Sequence, residues 1–269
     1  MVYTVIFAGG VGRRMSVNAD TSETENRMIG STAGSGMPKG GAEPDGASTP
    51  KQFLVVNGSP IILRTLRYFE EHPQVDGIVV ACLPDWIPRF REMLRRSGMK
   101  KVMAVVPGGE TGYLSIHNGL MEVQRLGVSD DDVVLICDGV RPILTERLIS
   151  EAIAGAEEYG SAVPVMPSID SLLFSEDGET SSMSYDRNRM FITQAPQGYR
   201  MKKILRAHEE AEKRGWHDAV SSSELLIGLG EPVHLFRGER SNIKITTQED
   251  LELLRADDLY RKRDGSTGR

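Results

Sequence analysis

Of the chain's 269 residues, 39% are hydrophobic and 26% charged, which suits a soluble globular protein with enough apolar material for one large domain or two small ones. A net charge of −6 excludes a global basic field for nucleic acid or an anionic membrane surface, although single clefts can still concentrate positive charge. Only two cysteines occur, Cys82 and Cys137, both in apolar strand-like runs, which argues against a disulfide framework and for a reducing cytoplasm.

In chain order, "VYTVIFA" at 2–8 is apolar, β-branched and stopped by glycines, the pattern of a strand buried on both faces. It is too short for a secretory signal and lacks a basic start. The segment from Ser16 to Thr49 is rich in Gly, Ser, Thr and acidic residues and poor in large apolar ones, so it reads as a mobile insertion. Ser59-Pro60 then offers an N-cap and first-turn pair for the helix "IILRTLRYFEEH". Buried strands are predicted at 77–83, 101–106, 132–138 and 160–166. Helices ending at glycine, "LSIHNGLMEVQRLG" and "TERLISEAIAGAEEYG", fall between them. Such alternation implies a single α/β domain, 1–263, with a Rossmann-like, mostly parallel sheet and helices on both faces. An arm, about 168–187, should project from it as a hairpin turning at Glu176-Asp177-Gly178, and 264–269 should be a frayed tail.

Three constellations carry chemistry. In "FAGGVGRRM" the glycines at 9, 10 and 12 follow a strand and let backbone N–H groups approach a polyphosphate, and Arg13-Arg14 adds fixed positive charge. The third glycine of a dinucleotide fingerprint and the Lys-Ser/Thr of a Walker loop are both missing, and a plain glycine turn with solvated arginines also fits. Pro50-Lys51-Gln52 places Lys51 directly before an apolar run, whereas Lys39 sits among Gly, Ser and Pro without such support. Held charge stabilises a transition state better than charge collected from a loop, so Lys51 is the candidate. In "LICDGVRP", Asp138 ends a buried strand, where open α/β sheets bind ligands. It could hold Mg²⁺, with Arg141 near enough for an anionic group, or simply cap the next turn.

With these motifs in place, the chain resembles the cytidylyltransferases that couple CTP to a polyol phosphate, those of 2-C-methyl-erythritol 4-phosphate and of ribitol 5-phosphate. The likeness rests on "AGGVGRRM", "PKQFL", "GGETGYLSIHNGL", "CDGVRP", "DRNRMFITQAPQGY", "HDAVSS" and "SNIKITTQEDL", in family order over nearly the whole chain. It implies a fold of the nucleotide-diphospho-sugar transferase type. It also implies that Ala8, Gly9, Gly10, Gly12, Gly108, Gly109, Ser115 and Gly139 line the nucleotide pocket. By the same resemblance Arg14 and Lys51 flank the α-phosphate and Asp138 carries Mg²⁺ or another divalent cation. Arg141, Arg187 and Lys244 hold the polyol phosphate, with Asp218 near its hydroxyls, and Arg14, Lys51, Lys244 and Arg187 form the catalytic set. The implied partners are CTP, a small polyol phosphate and a second copy of the chain, whose site Arg187 would reach through the arm.

The chain departs from the family pattern in three places. Gly112 stands where an arginine is usual, Ala195 where relatives carry threonine in "QTPQ", and the 16–49 insertion replaces a short connection. His217-Asp218-Ala219, in place of Thr-Asp-Glu, and the closing "FRGERSNIKITT" lean toward ribitol 5-phosphate over the erythritol substrate. The competing readings are a nicotinamide-dependent reductase, disfavoured by the missing third glycine, and a non-catalytic homologue.

Overall fold

A computed structural model describes residues 1–9, 49–217 and 219–263, so Gly10, Gly12, Arg14, Lys39, Asp218 and nearly all of the 16–49 insertion lie outside the described residues. The first strand, β1 (Val2–Ala8), is the centre of the sheet. It is flanked in parallel by β4 (Gly77–Cys82) on one side and β6 (Val133–Asp138) on the other, and β5 (Val102–Pro107) extends the β4 side. Beyond β6 lie β11 (Gln197–Arg200), antiparallel to it, then β7 (Ser161–Pro167), with β10 (Phe191–Thr193) and β12 (Leu235–Arg237) both paired to β7. The sheet is therefore mostly parallel, with antiparallel pairing confined to the side that feeds the arm.

Strand parity divides the core. Val2, Ile6 and Ala8 of β1, Ile78, Val80 and Cys82 of β4, and Val133, Leu135 and Cys137 of β6 face one layer of helices. That layer is α1 (Ile61–Glu71), α2 (Ile87–Ser97) and α4 (Glu146–Tyr159). Tyr3, Val5, Val79, Val134 and Ile136 face the other layer, α3 (Gly112–Arg125), α5 (Met201–Lys213) and the short α6 (Ser222–Gly228). Because side chains alternate along a strand, a run apolar at both parities must be covered twice, as these strands are. A third cluster, with Val56, Ile61, Val140, Ile143 and Ile245, seats the closing helix α7 (Gln248–Arg263) through Leu251 and Leu254. Arg64 clamps Asp258 of that helix with both guanidinium NH groups.

Helix ends follow local chemistry, with one correction to the sequence reading. Thr111 and Thr145 cap α3 and α4 by accepting from the backbone N–H of Leu114 and Leu148, contacts worth about 1 kcal/mol each. Gly160 ends α4 in the left-handed conformation at φ 78°. Ser59 does not cap α1. Ser59–Pro60 instead forms the two-residue strand β3 against β2 (Val55–Val56), and the Ile61 N–H donates to the Leu54 carbonyl.

The arm leaves the sheet at Ser168. Its hairpin pairs β8 (Leu172–Phe174) with β9 (Met183–Tyr185). The turn sits where the sequence placed it: Asp177 accepts from the N–H groups of Glu179 and Thr180, and Gly178 takes φ 76°. Among the described residues no helix is long and apolar enough to cross a membrane.

Candidate active site

The carboxyl ends of β1, β4, β5 and β6 meet at one corner. Gly9, just past β1, lies so close to α3 that a Cβ there would stand 2.6 Å from the Ser115 Oγ. Gly109, after β5, donates its N–H to that Oγ at 3.1 Å, and the hydroxyl donates to the Thr111 carbonyl at 2.9 Å. Gly108 donates to the Cys82 carbonyl at 2.7 Å. Gly139 donates to Phe7 at 3.0 Å and passes so near Ala8 that a side chain there would press on β1. The expected nucleotide-pocket residues Ala8, Gly9, Gly108, Gly109, Ser115 and Gly139 are therefore gathered by close backbone packing that side chains at the glycines would disturb.

Lys51 opens a 3₁₀ turn, Lys51–Phe53, whose other two side chains are buried. Gln52 donates to the Ala8 carbonyl at 2.7 Å, and Phe53 stacks on Trp86 with centroids 4.5 Å apart and meets Phe90 edge-on. The half-buried Lys51 is thus carried on a segment pinned to the end of β1 and to the core. Trp86 covers apolar surface, and Arg89 lies over its ring.

Asp138 ends β6 and is only 5% exposed. Its Oδ2 accepts from Arg141 Nε at 2.8 Å and its Oδ1 from Lys244 Nζ at 2.7 Å. It does not cap the following turn. Burial by itself would raise the Asp138 carboxyl, but the two cations outweigh that and hold it below the ordinary carboxylate range. Arg141 is itself buried and donates to the Asn242 carbonyl at 3.1 Å, while the Lys244 side chain remains 43% exposed. Among the described residues each Asp138 oxygen takes one hydrogen bond, which leaves each a second lone pair. That donor set fits a divalent cation whose other ligands are phosphate oxygens, the usual arrangement for Mg²⁺. Among the described residues no group of three or more His, Cys, Asp or Glu forms a metal cage.

Arg187 is not part of this corner. It stands exposed on a 3₁₀ turn of the arm, where its guanidinium donates to the Ile169 carbonyl at 3.1 Å. The departures from the family pattern are also placed: a Cβ at Gly112 would meet nothing within 4 Å, and Ala195 is packed in the core.

Sequence reasoning missed two features. Asn242 and Gln194 tie the Lys244 segment to the sheet. Asn242 lies two residues before Lys244 in a turn, its N–H donating to the Glu239 carbonyl at 3.1 Å, and no periodicity in "SNIKI" marks it. His208 is buried against Tyr113, centroids 4.7 Å apart, with neither ring nitrogen hydrogen-bonded. Nothing in the motif pattern pointed to it.

The profile of the IspD family, 2-C-methyl-D-erythritol 4-phosphate cytidylyltransferase, matches residues 31–259. A ribitol-5-phosphate cytidylyltransferase of Streptococcus agalactiae is 37% identical over 260 residues, covering 97% of this chain and 95% of that protein. A 2-C-methyl-D-erythritol 4-phosphate cytidylyltransferase of Geobacter metallireducens is 39% identical over 215 residues, covering 78% of this chain and 90% of that protein. Among solved structures, 4-diphosphocytidyl-2C-methyl-D-erythritol synthase from Anaerococcus prevotii superposes with a TM-score of 0.71 over 96% of both chains at 22% identity, a likeness of fold. With a matched profile over most of its length and curated relatives covering nearly all of it, this chain belongs to the IspD family of cytidylyltransferases.

Proposed function

We propose that this chain transfers CMP from CTP to ribitol 5-phosphate, releasing pyrophosphate and forming CDP-ribitol. The observation that carries the reading is the corner itself. The close-packed glycine turns after β1 and β5, the pinned Lys51 and the buried Asp138 with its two cations lie at the carboxyl ends of parallel strands. The acceptor is the ribitol rather than the erythritol phosphate because the full-length similarity runs to the ribitol enzymes, while the erythritol relatives align over a shorter part. The His217-Asp218-Ala219 stretch leans the same way.

The chemistry asks little of acid–base groups. A phosphate monoester with a second pKa of about 6 is mostly dianionic at neutral pH and attacks without a general base. Its oxygen forms a bond to the α-phosphorus of CTP, the α–β anhydride bond breaks, and pyrophosphate leaves with the bonding pair. The barrier lies in bringing two polyanions into line and offsetting charge in the transition state. Lys51, with Arg14 beyond the described residues, would flank the α-phosphate. Arg141 and Lys244 would meet the acceptor phosphate, giving up part of their pairing with Asp138 as they do so. Asp138 would hold Mg²⁺, which supplies charge neutralisation on the triphosphate.

The rest of the assembly is proposed on the arm. Ile169, Leu173, Phe174, Phe191 and Ile192 are exposed there, an apolar set that a second copy would cover, carrying Arg187 toward the neighbouring site. A cytoplasmic location is part of the same proposal, supported by two buried cysteines that form no disulfide framework.

Pyrophosphate release tests the reading. CTP with ribitol 5-phosphate and Mg²⁺ is expected to turn over at least tenfold more efficiently than CTP with 2-C-methyl-erythritol 4-phosphate. The reverse preference would move the acceptor to the isoprenoid side, and no release with either would remove the enzymatic reading.

A further inference from the structure

We propose that Asn242 is a positioning residue for the acceptor-phosphate cations: it fixes Arg141 on the Asp138 carboxylate and holds the Lys244 segment against the sheet. Its kinetic consequence rests on the nucleotidyl-transfer reading above, whereas its structural consequence does not.

Asn242 is 1% exposed, and both ends of its amide are used. The Nδ2 donates to the Ala195 carbonyl at 2.7 Å, and the Oδ1 accepts from the Arg141 guanidinium at 3.4 Å, beside the Asn242 main-chain carbonyl that takes the same NH1 at 3.1 Å. A guanidinium can only donate and a carbonyl can only accept, so a single orientation of the amide satisfies both neighbours. Arg141 therefore has two anchors, Asp138 through Nε and Asn242 through NH1, and the planar fork is fixed in direction. Only Ile243 separates Asn242 from Lys244, whose Nζ donates to the other Asp138 oxygen. A shift of Asn242 would displace both cations together.

The segment is locked from the far side as well. Gln194 donates through Nε2 to the Glu239 carbonyl at 2.7 Å and accepts from the Glu239 N–H at 3.0 Å. Gly238 lets this happen, since a Cβ there would stand 2.2 Å from the Gln194 Oε1. The stretch from Gly238 to Lys244 is thus fastened to Gln194-Ala195, between β10 and β11, by side-chain amides at both ends. Ala195 offers no hydroxyl to a ligand, so in this chain that strand connection contributes through its carbonyl, as the post on which Asn242 hangs.

The test uses the full-length protein and two variants. Asn242→Ala removes the two side-chain contacts and leaves only the main-chain carbonyl, no longer tied to Ala195, to hold Arg141 NH1, while Asn242→Asp keeps the shape but, when ionised, opposes the Ala195 carbonyl and competes with Asp138 for Arg141. Protonated, the aspartic acid again offers one donor and one acceptor. The activity-independent readout is the Arg141 Nε–H resonance, assigned by its loss in Arg141→Lys. In the wild type it should exchange slowly with solvent, and in Asn242→Ala at least tenfold faster. An unchanged exchange rate would overturn the proposal whether or not the chain turns over CTP.

The kinetic readout is a split. The KM for ribitol 5-phosphate should rise about tenfold or more in both variants while the KM for CTP stays within about twofold. In Asn242→Asp the ratio to wild type should shrink as the pH is lowered far enough to protonate the introduced carboxyl. If kcat falls in proportion to the folded fraction with both KM values unchanged, the residue is only structural and the proposal fails. If wild type has no activity while Arg141 exchange still responds, the positioning holds and the functional reading fails.

Discussion

The Asp138 corner and the arm are opposite solutions to placing function on one sheet. At the corner the charges point inward and each finds a partner within the chain: a buried carboxylate, a buried guanidinium and a half-exposed ammonium joined by bonds of 2.7–2.8 Å. In the arm the apolar side chains point outward, with Leu173 70% and Ile192 61% exposed, and Arg187 donates to the arm's own Ile169 carbonyl. Among the described residues the corner's charges pair within one chain, whereas the arm leaves its apolar side chains exposed.

The largest effect should come from breaking the corner's charge balance. Asp138→Ala leaves Arg141 and Lys244 facing each other without their anion, with Arg141 buried. Removing one partner of such a pair costs about 3–5 kcal/mol, to be read as a lowered denaturant midpoint, and a loss under about 1 kcal/mol would mean the cluster is wetter than its burial indicates. Next in size, Lys51→Ala should lower kcat by about a hundredfold or more, as for loss of one oriented donor, with folding kept because Gln52 and Phe53 still anchor the turn. Lys39→Ala should change kcat less than about twofold, and equal losses from both would remove the distinction between held and unheld charge.

The arm's side of the comparison is sharpened by Leu173→Glu. Placing charge in the exposed apolar set should weaken self-association about tenfold or more by light scattering while leaving the denaturant midpoint nearly unchanged, because the arm adds little to the core. Wild-type protein that is monomeric at high concentration would contradict the proposed assembly.

The smallest effect concerns pH. Burial, with a further push from His117, lowers the His208 pKa to about 3 from 6.5. Below pH 6.5 the unfolded chain therefore binds a proton that the folded chain refuses. The associated stability is fully present above 6.5 and is lost as pH falls toward 3, at up to about 1.4 kcal/mol per pH unit. His208→Phe keeps the stack on Tyr113 and gives up no hydrogen bond, so it should flatten the fall in Tm between pH 6.5 and pH 4.5. An unaltered slope would place the titration elsewhere.

Much of the sheet was legible because its strands are covered on both faces, and runs such as "VYTVIFA" and "VVLICD" admit few alternatives. The turn at Asp177-Gly178 was legible because its backbone needs those residues. Ser59 was misread because cap chemistry and a short strand use the same residue types, and pairing with Val56 decided between them. At the site, motif order identified Asp138, Arg141 and Lys244 as candidates, but not their mutual pairing, which joins positions 138 and 244 across the fold. Asn242 escaped notice because its role lies in bonds to Ala195 and Arg141 that no local pattern encodes. His208 escaped because a buried histidine without a partner has no sequence signature.

The most direct test is a crystal structure with CTP and Mg²⁺ bound. The account predicts the triphosphate against Gly9, Gly108 and Gly109, Lys51 within hydrogen-bond distance of the α-phosphate, and the metal between Asp138 and phosphate oxygens. A nucleotide bound elsewhere, or bound here with Lys51 and Asp138 both turned away from its phosphates, would contradict it.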